Sequence, residues 1–361
     1  MAGAIAPFAS HQGPKFFAIA MIAVVYGKPY VPFVADVAEA LCTAVRAQGA
    51  PAEAICIESA LAERKRIEEA ERSYILPFDA ADAQEAARLV SQVLPKARPL
   101  VPFWAQDLCW DKIATEERLV ERGVGVPETL VTHTGSDVLE FVRRYRFAIL
   151  KRRCGCAGVG HWVLWLEDGT LMADNGTAAY RLEFNEGPPR IVGDRLIQPP
   201  PYYVQRMIGT YVQGQFWPGQ VLRAYVVDDE ICFWTERFRD RYRRPGDWIL
   251  NVSLGARYRF VLSVREETEN AALRTARAVG APVAAVDLIH TSATGPLVLE
   301  VNTDGYHMVI DRSFKNLPEY RNFFDFDFYI ARLLARKETP PDVRAARFGP
   351  RRKTRYPRGN L

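Results

Sequence analysis

Two apolar runs near the C-terminal end of the chain, VAAVDLIH and LVLEVN, flank the short polar segment TSATGP (291–296), which is the pattern of a β-hairpin. In an antiparallel hairpin, the numbers of two opposed residues add up to the same total at every pair, namely twice the number at the centre of the turn. The centre of TSATGP lies between Ala293 and Thr294, which places Asp287 directly across from Glu300. Asn302 shares the face of Glu300, because strand side chains alternate. The opposite face is predicted to be apolar and to carry Leu297, Leu299 and Val301.

The two carboxylates of this hairpin restrict what the chain can do there. Like charges directly opposite each other destabilise a sheet unless a cation lies between them. Asp287, Glu300 and Asn302 offer oxygen ligands without His or Cys, a set that suits Mg²⁺. The alternative is a hairpin whose polar groups face water at its edge, and the spacing alone leaves both interpretations open.

Composition limits the class of protein. The chain has 361 residues, 48% hydrophobic and 25% charged, which suits a soluble protein of two or three domains. Its six cysteines show no C-x-x-C spacing, which predicts reduced thiols in a cytoplasmic protein, with a metal site or strained disulfide at Cys154 and Cys156 as the alternative. The apolar stretch 16–27 is too short to span a bilayer and no cleavage site follows it, so a buried strand is predicted and no membrane association is expected.

Strand and helix signals alternate over the first hundred residues, which predicts an open α/β layer with parallel strands. A small α+β unit follows, with a helix after Asp111, a helix capped by Ser136 and a strand over 147–153. Residues 165–200 carry few regular signals. A second α+β unit is predicted from strands within 202–238, a helix over 269–281, the hairpin and a final helix near 324–337.

Three charged residues stand out against this background. Lys151 ends a strand and is followed by a loop with three glycines, whose N–H groups can approach phosphate without a side-chain clash. Lys112 begins a helix and offers a second cation. Arg223 lies inside an apolar strand, where a buried guanidinium requires an anion. Taken singly, each also has an ordinary structural explanation. The glycines after Lys151 can serve a turn, Lys112 can be a solvated lysine, and Arg223 can belong to a structural ion pair.

Taken in chain order, the motifs resemble the ATP-grasp superfamily, and within it the carboxylate–amine ligases similar to glutathione synthetase and the ribosomal-protein glutamate ligases. The resemblance covers about residues 100–335, and the preceding α/β region suits the first domain of such ligases. The motifs that carry it are DK (111–112), GVGVPETL (123–130), AILKRRCGCAGVG (148–160), VQRMI (204–208), RAYVV (223–227), NVSLG (251–255), VDL (286–288) and LEVN (299–302).

The resemblance implies an enzyme that uses ATP and Mg²⁺, with Mn²⁺ as an alternative metal. Asp287, Glu300 and Asn302 would bind the metal ions that bridge the phosphates. Arg223 and Asn251 would be catalytic and would stabilise an acyl phosphate and then the adduct formed by an attacking amine. The nucleotide would be held by Lys112, Lys151, Gly155, Gly158, Gly160, Gln205, Arg206, Met207 and Ile208, with the backbone of the last four at the adenine edge.

The same resemblance predicts the domain organisation and the partners. The expected units are a pre-ATP-grasp domain (1–105), a small lobe with the glycine-rich loop (106–204), a C-terminal lobe with the metal site (205–335) and a basic, flexible tail (336–361). The expected substrates are a small carboxylic acid and an amine, and no nucleic acid is expected. Dimers are common among proteins of this type, which leaves a homodimer open.

The sequence departs from the family pattern on the acceptor side. Two arginines follow Lys151 where proline is usual, Val221 replaces a common acidic residue, and TDGYH follows Asn302 in place of small residues and proline. The substrate is therefore less defined than the nucleotide site. A kinase on the same scaffold and a non-catalytic module whose basic tail binds an acidic partner remain alternatives, and His161 and His307 either contact substrate or are structural.

Overall fold

The computed structural model describes residues 21–26, 34–56, 64–70, 72–76, 98–154, 160–183, 190–191, 195–196, 200–213, 215–251, 254–291, 295–303 and 326–336. The chain begins as predicted, with alternating strands and helices. They are β1 (Ile22–Tyr26), α1 (Val34–Ala47), β2 (Ala52–Cys56), α2 (Arg64–Glu69) and β3 (Arg72–Leu76). The three strands form a parallel sheet in the order β2-β1-β3. The helix predicted over 79–97 lies outside the described residues.

An eight-stranded antiparallel sheet with three helices follows. Its order is β10-β9-β8-β7-β6-β5-β11-β4. The elements are α3 (Phe103–Trp110), α4 (Lys112–Glu121), β4 (Thr129–Thr132), α5 (Gly135–Tyr145), β5 (Phe147–Lys151), β6 (Trp162–Glu167), β7 (Thr170–Asp174), β8 (Ala179–Glu183), β9 (Arg190–Ile191), β10 (Arg195–Leu196) and β11 (Tyr202–Arg206).

Two details of this lobe differ from the sequence prediction. Strands β7 to β10 occupy the region in which few regular signals were found, and α3 was not predicted. Helix α5 is capped by Thr134 and not by Ser136, because the Thr134 hydroxyl accepts the N–H of Asp137 and the helix already begins at Gly135.

The C-terminal lobe is built on a five-stranded sheet in the order β16-β15-β14-β17-β18. A two-stranded hairpin, β12 (Gly209–Val212) and β13 (Gln215–Pro218), precedes it. Its elements are β14 (Gln220–Val227), β15 (Glu230–Phe238), β16 (Arg257–Val261), α6 (Glu266–Ala278), β17 (Val283–Thr291), β18 (Gly295–Asn302) and α7 (Phe326–Ala335). The mixed α/β fold class expected from the sequence is confirmed. Within the described ranges no helix is long and apolar enough to cross a membrane.

One hydrophobic core runs through the first sheet and the C-terminal lobe. Leu41 of α1, Leu222 of β14, Val286 of β17 and Ile330 of α7 belong to the same cluster of buried side chains. Helix α7 packs against α1, and the guanidinium of Arg72 in β3 donates to the last turn of α7 at 2.8 Å. The last helix therefore ties the first sheet to the lobe that carries the hairpin.

The pairing predicted for the hairpin is confirmed where it matters for the site. Asp287 lies opposite Glu300, and Asn302 pairs one step further along. Nearer the turn the register differs by one residue, so that Leu288 pairs with Val298. A β-bulge that adds one residue to β18 between these pairs accounts for the difference.

The predicted division of β18 into two faces is wrong because of this bulge. Val301 lies in the main core, but Leu297 and Leu299 pack against another cluster, which contains Ile289. The extra residue interrupts the alternation of side chains, so Leu299 does not share the face of Val301. Apolar side chains therefore flank the carboxylates on their own face of the sheet.

Candidate active site

Asp287 is the centre of a buried ion cluster on three adjacent strands. Its carboxylate accepts two hydrogen bonds from Arg223, Nε to Oδ1 at 2.6 Å and Nη2 to Oδ2 at 2.7 Å, and one from Nη2 of Arg237 at 2.9 Å. Asp287 is 2% exposed and Arg223 is 6% exposed. Burial lowers the pKa of Arg223, but the Asp287 carboxylate raises it well above its ordinary value, so the guanidinium stays charged. The anion that the buried arginine requires is thus supplied by the hairpin.

Glu300 contacts the lysine of the DK motif. The distance from Lys112 Nζ to Glu300 Oε1 is 3.2 Å. Lys112 is the first residue of α4, and Asp111 caps this helix by accepting two N–H groups of the first turn. Burial acts to raise the pKa of Glu300, but Lys112 and Lys151 outweigh it and lower this pKa, which keeps the carboxylate ionised. The motif therefore brings a cation to the second carboxylate of the hairpin.

A second buried network begins at Lys151. Its ammonium group donates to Gln205 Oε1, and Gln205 Nε2 donates to Glu116 Oε2 and to Tyr203 Oη, both at 2.6 Å. The Tyr203 hydroxyl and the Thr129 hydroxyl also donate to Glu116 Oε2, at 2.6 and 2.9 Å. Burial lowers the pKa of Lys151 to about 8. This network fixes the Gln205 amide so that its oxygen faces the lysine.

Four residues of these two networks were not predicted as site residues from the sequence, Thr129 among them. Glu116 lies four positions after Lys112, which places both on one face of α4, and this spacing was the signal that could have found it. Arg237 is a charged residue in a strand with an apolar centre, the same signal that identified Arg223. Tyr203 had no such signal, because a tyrosine in a buried strand usually belongs to the core.

The glycine-rich loop is described only in part. Gly155 and Gly158 lie outside the described residues, as does His307. Gly160 has φ of +75°, a backbone conformation that favours glycine, and a Cβ there would displace the side chain of Arg152. The next residue, His161, is neutral, because burial and the charge of Lys151 lower its pKa well below the ordinary value.

In the segment predicted to hold adenine, residues 205–208, several backbone groups already form hydrogen bonds within the protein. The N–H groups of Arg206 and Met207 donate to neighbouring carbonyls at 2.8 and 3.2 Å, and the Ile208 carbonyl accepts an N–H at 2.8 Å. The Arg206 guanidinium pairs with Glu128 at 2.8 Å. Gln205 reaches the buried network through its side chain. An adenine role for this segment stays a prediction.

Asn251 begins a tight turn beside the strands that carry the ion cluster. Its carbonyl accepts the N–H groups of two residues further along, at 3.1 and 3.0 Å, and Gly255 in this turn has φ of +91°. The preceding Leu250 packs in the same cluster as Val221 of β14 and Ile289 of β17. Both strands carry site residues, so the turn lies on the face of Asp287, while a catalytic role for Asn251 stays a prediction.

A small open cavity lies between α4 and β18, where the contact of Lys112 with Glu300 meets the Glu116 and Tyr203 end of the second network. Its polar lining comes from Lys112, Thr115, Glu116, Tyr203 and Glu300, and its apolar lining includes Leu119, Val126 and Leu299. Apolar walls with a few convergent polar groups are typical of small-molecule sites.

The donor set fits a magnesium ion that is shared with phosphate. Asp287 and Glu300 supply carboxylates and Asn302 supplies an amide, and Mg²⁺ is usually held by one or two carboxylates together with substrate phosphates and water. The Asn302 Nδ2 atom is buried and has no hydrogen-bond partner among the described residues, so an acceptor such as a phosphate oxygen would satisfy it. No group of three His, Cys, Asp or Glu side chains suited to a metal occurs in the part of the chain that the structure describes.

Comparison with known proteins supports the resemblance seen in the sequence. Residues 204–316 match the family described as the RimK-like ATP-grasp domain. The tetrahydromethanopterin:alpha-L-glutamate ligase of Methanocaldococcus jannaschii is 28% identical over 198 residues, which are 55% of this chain and 59% of that protein. A probable alpha-L-glutamate ligase of Pseudomonas savastanoi pv. phaseolicola is 25% identical over 196 residues, 54% of this chain and 55% of that protein. The chain thus spans little more than half the length of these relatives.

The fold is that of ATP-grasp ligases. A solved structure of the ATP-grasp ligase PsnB, complexed with a phosphomimetic variant of a minimal precursor, Mg and ADP, has a TM-score of 0.56 and 17% identity. The match covers 86% of this chain and 97% of PsnB. The resemblance to ATP-grasp proteins predicted from the motifs is therefore confirmed, and it extends through the first sheet as well as both lobes.

Proposed function

We propose that this chain, which has an ATP-grasp fold, is an ATP-dependent ligase that joins a carboxylic acid to an amine and releases ADP and phosphate. The observation that carries the proposal is the opposed pair of Asp287 and Glu300, each in contact with a cation that comes from a different ATP-grasp motif. A binding module would not need two opposed carboxylates, each with a buried basic side chain, Arg223 or Lys112, against it.

The proposed reaction has two steps. In the first, an oxygen of the substrate carboxylate attacks the γ-phosphorus of ATP, and the bond from that phosphorus to the bridging oxygen of ADP breaks. In the second, the amine nitrogen attacks the acyl carbon, inorganic phosphate leaves, and the nitrogen loses a proton. Lys112 and Lys151 neutralise phosphate charge in this proposal, and Arg223 stabilises the oxyanion of the adduct.

Mg²⁺, for which Mn²⁺ is the proposed substitute, would be held by Asp287, Glu300 and Asn302 and would screen the charge of the phosphates. The small lobe, proposed as 106–204, contributes the two lysines. The C-terminal lobe, proposed as 205–335, contributes the carboxylates and Arg223. A homodimer stays a prediction.

The names of the relatives make glutamate the first amine to test. Two relatives are named alpha-L-glutamate ligases, and PsnB was solved with a minimal precursor. The acids to test are therefore small carboxylic acids and peptides with free carboxyl groups. A kinase is not favoured, because the named relatives are ligases.

The experiment is an incubation with Mg-ATP, pooled carboxylic acids and pooled amines, in which ADP and free phosphate are measured separately. A ligase releases both in equal amounts and only when an acid and an amine are present together. ADP without free phosphate would identify a kinase and would overturn the proposal. A protein that binds ATP but forms no ADP with any pool would contradict catalysis altogether. Glu300→Gln is the matched control for background hydrolysis.

A further inference from the structure

The β12–β13 hairpin projects aromatic and aliphatic side chains into solvent. Tyr211 is 44% exposed, Val212 is 53% exposed and Trp217 is 41% exposed. Each of the two strands pairs only with the other within the described residues, so each has an outer edge with free backbone groups. Clustered exposed aromatic residues beside open strand edges are features of protein-binding surfaces.

Arginines flank the hairpin on one side. The guanidinium of Arg146 lies 5.1 Å from the centre of the Tyr211 ring. Arg144 and Arg206 lie over the ring of Tyr145 at 5.2 and 5.4 Å. Arg206 is paired with Glu128, but the contacts of Arg144 and Arg146 hold their guanidinium groups in place while leaving the N–H donors available to an anion.

The basic stretch 237–244, at and after the end of β15, also lies near the hairpin. The rings of Trp217 and Tyr242 are 6.1 Å apart, so the arginines beside Tyr242, Arg241 and Arg243, lie next to β13. Both arginines are exposed. Within the described part of the chain, the guanidinium groups of Arg144, Arg146, Arg241 and Arg243 form no salt bridge, although the backbone N–H of Arg243 donates to Asp247 at 2.8 Å.

Backbone geometry holds the hairpin in this position. A Cβ at Gly209 would overlap the backbone carbonyl of Trp217 and the ring of Phe216, so only glycine fits there. Phe216 is buried and packs on Trp248 and Phe147, with ring centres 4.7 and 5.1 Å away. The exposed residues are thus anchored through the inner face of a short hairpin.

We propose that the hairpin surface, formed by Tyr211, Val212, Trp217, Arg144, Arg146, Arg241 and Arg243, is a docking site for an extended acidic peptide segment of a partner protein. The site lies outside the ligase centre and does not rest on the proposed reaction. Unpaired strand edges bind peptide backbone, and four arginines without described acidic partners suit a segment rich in Asp and Glu. Nucleic acid would use the arginines but not the strand edges. The basic C-terminal tail of the chain itself carries the wrong charge.

The test is a direct binding measurement that needs no turnover. A labelled peptide of alternating Glu and Tyr residues is titrated with the full chain and followed by fluorescence anisotropy. The same peptide with Gln in place of Glu, and a single-stranded oligonucleotide of equal charge, are the comparison probes. The acidic peptide is expected to bind, more weakly at high salt, and the Gln peptide is expected to bind at least about tenfold more weakly.

Two variants locate the binding. Tyr211→Ser with Trp217→Ser removes the aromatic side chains, and Arg146→Gln with Arg241→Gln removes two charges. Each pair is expected to weaken binding by about tenfold or more, as anchor residues of interfaces do. The matched control is Arg122→Gln with Arg274→Gln, which makes the same charge change at two exposed positions, one just after α4 and one on α6, and is expected to leave affinity unchanged. If the aromatic pair fails to fold, Val212→Ser alone replaces it.

Three results would overturn the proposal. One is acidic-peptide affinity that is equal in the hairpin variants and the control. Another is an oligonucleotide that binds while the peptide does not, which would make the surface a nucleic-acid site. The third is a change from dimer to monomer by sedimentation in the aromatic variant, which would make the surface an interface between two copies of this chain. None of these results bears on ADP release, so the docking site and the ligase activity fail separately.

Discussion

Asp287→Asn is expected to destabilise the C-terminal lobe strongly even when no metal or nucleotide is present. The carboxylate neutralises Arg223 and Arg237, whose side chains are 7% and 15% exposed, through contacts of 2.6, 2.7 and 2.9 Å. Asparagine retains the shape and one acceptor but leaves both guanidinium groups without a counter-charge. Removing one partner of a buried ion pair costs about 3–5 kcal/mol, and the second arginine places this site at the upper end of that range.

The assay is urea unfolding followed by tryptophan fluorescence. Trp234, one of seven tryptophans, is 5% exposed in β15, next to the strand of Arg223, so it contributes to the change in emission when this lobe unfolds. The control is Asp229→Asn, because Asp229 is 61% exposed where it pairs with Arg277, and exposed pairs contribute less than about 1 kcal/mol.

The two variants give a clear comparison. A loss for Asp287→Asn no greater than that of the control would refute the reasoning, because it would mean that the buried cluster is not needed for the fold. A large loss would also mean that inactivity of this variant says little about metal binding.

Three further predictions concern the cavity. Glu300→Gln is expected to abolish ADP release. It is expected to lose less than half of the free energy of unfolding lost by Asp287→Asn, because Glu300 is 22% exposed at its contact with Lys112. Turnover and the urea midpoint check both expectations, and full activity would remove Glu300 from the site. Because the pKa of Lys151 is lowered to about 8, ATP affinity measured by calorimetry should fall as the pH rises through that value, and Lys151→Arg, which stays charged, should abolish the fall. Glu116→Gln removes a negative charge that raises the pKa of Lys151, so the pH at which ATP affinity is half lost should move to a lower value. An unchanged pH midpoint would contradict the proposed coupling of Glu116 to Lys151.

The opposed carboxylates could be predicted from the sequence because Asp287 and Glu300 lie beyond the bulge. The predicted turn centre was half a residue too late, since the pairs near the turn, such as Leu288 with Val298, have a smaller constant sum. The bulge then adds one residue to β18 and restores the sum for Asp287 and Glu300. A prediction from the alternation of side chains assumes a strand without a bulge, so the face assigned to Leu299 was wrong.

Elements with strong local signals were also predictable, whereas elements stabilised only by the sheet were not. Asp111 caps α4 and the apolar spacing after it is helical, so this helix is visible in the sequence. Strand β8 exposes most of its residues, and β9 and β10 have two residues each, so no local pattern distinguishes them from loop. Each of these strands is held by pairing with its neighbour in the sheet, β8 with β7, β9 with β8 and β10 with β9, and a local pattern does not contain that information.

Residue type predicted which charged groups lie close together, but not which of them touch. Arg223 and Lys112 were expected beside a substrate, and Asp287 and Glu300 beside a metal ion, yet each cation contacts one of the carboxylates. The reason is that a buried charge without a partner is far more costly than an exposed one, so the folded chain must pair its own charges. The residues that would bind a metal nucleotide are therefore also structural, and a variant at any of them has to be judged by stability and by activity together.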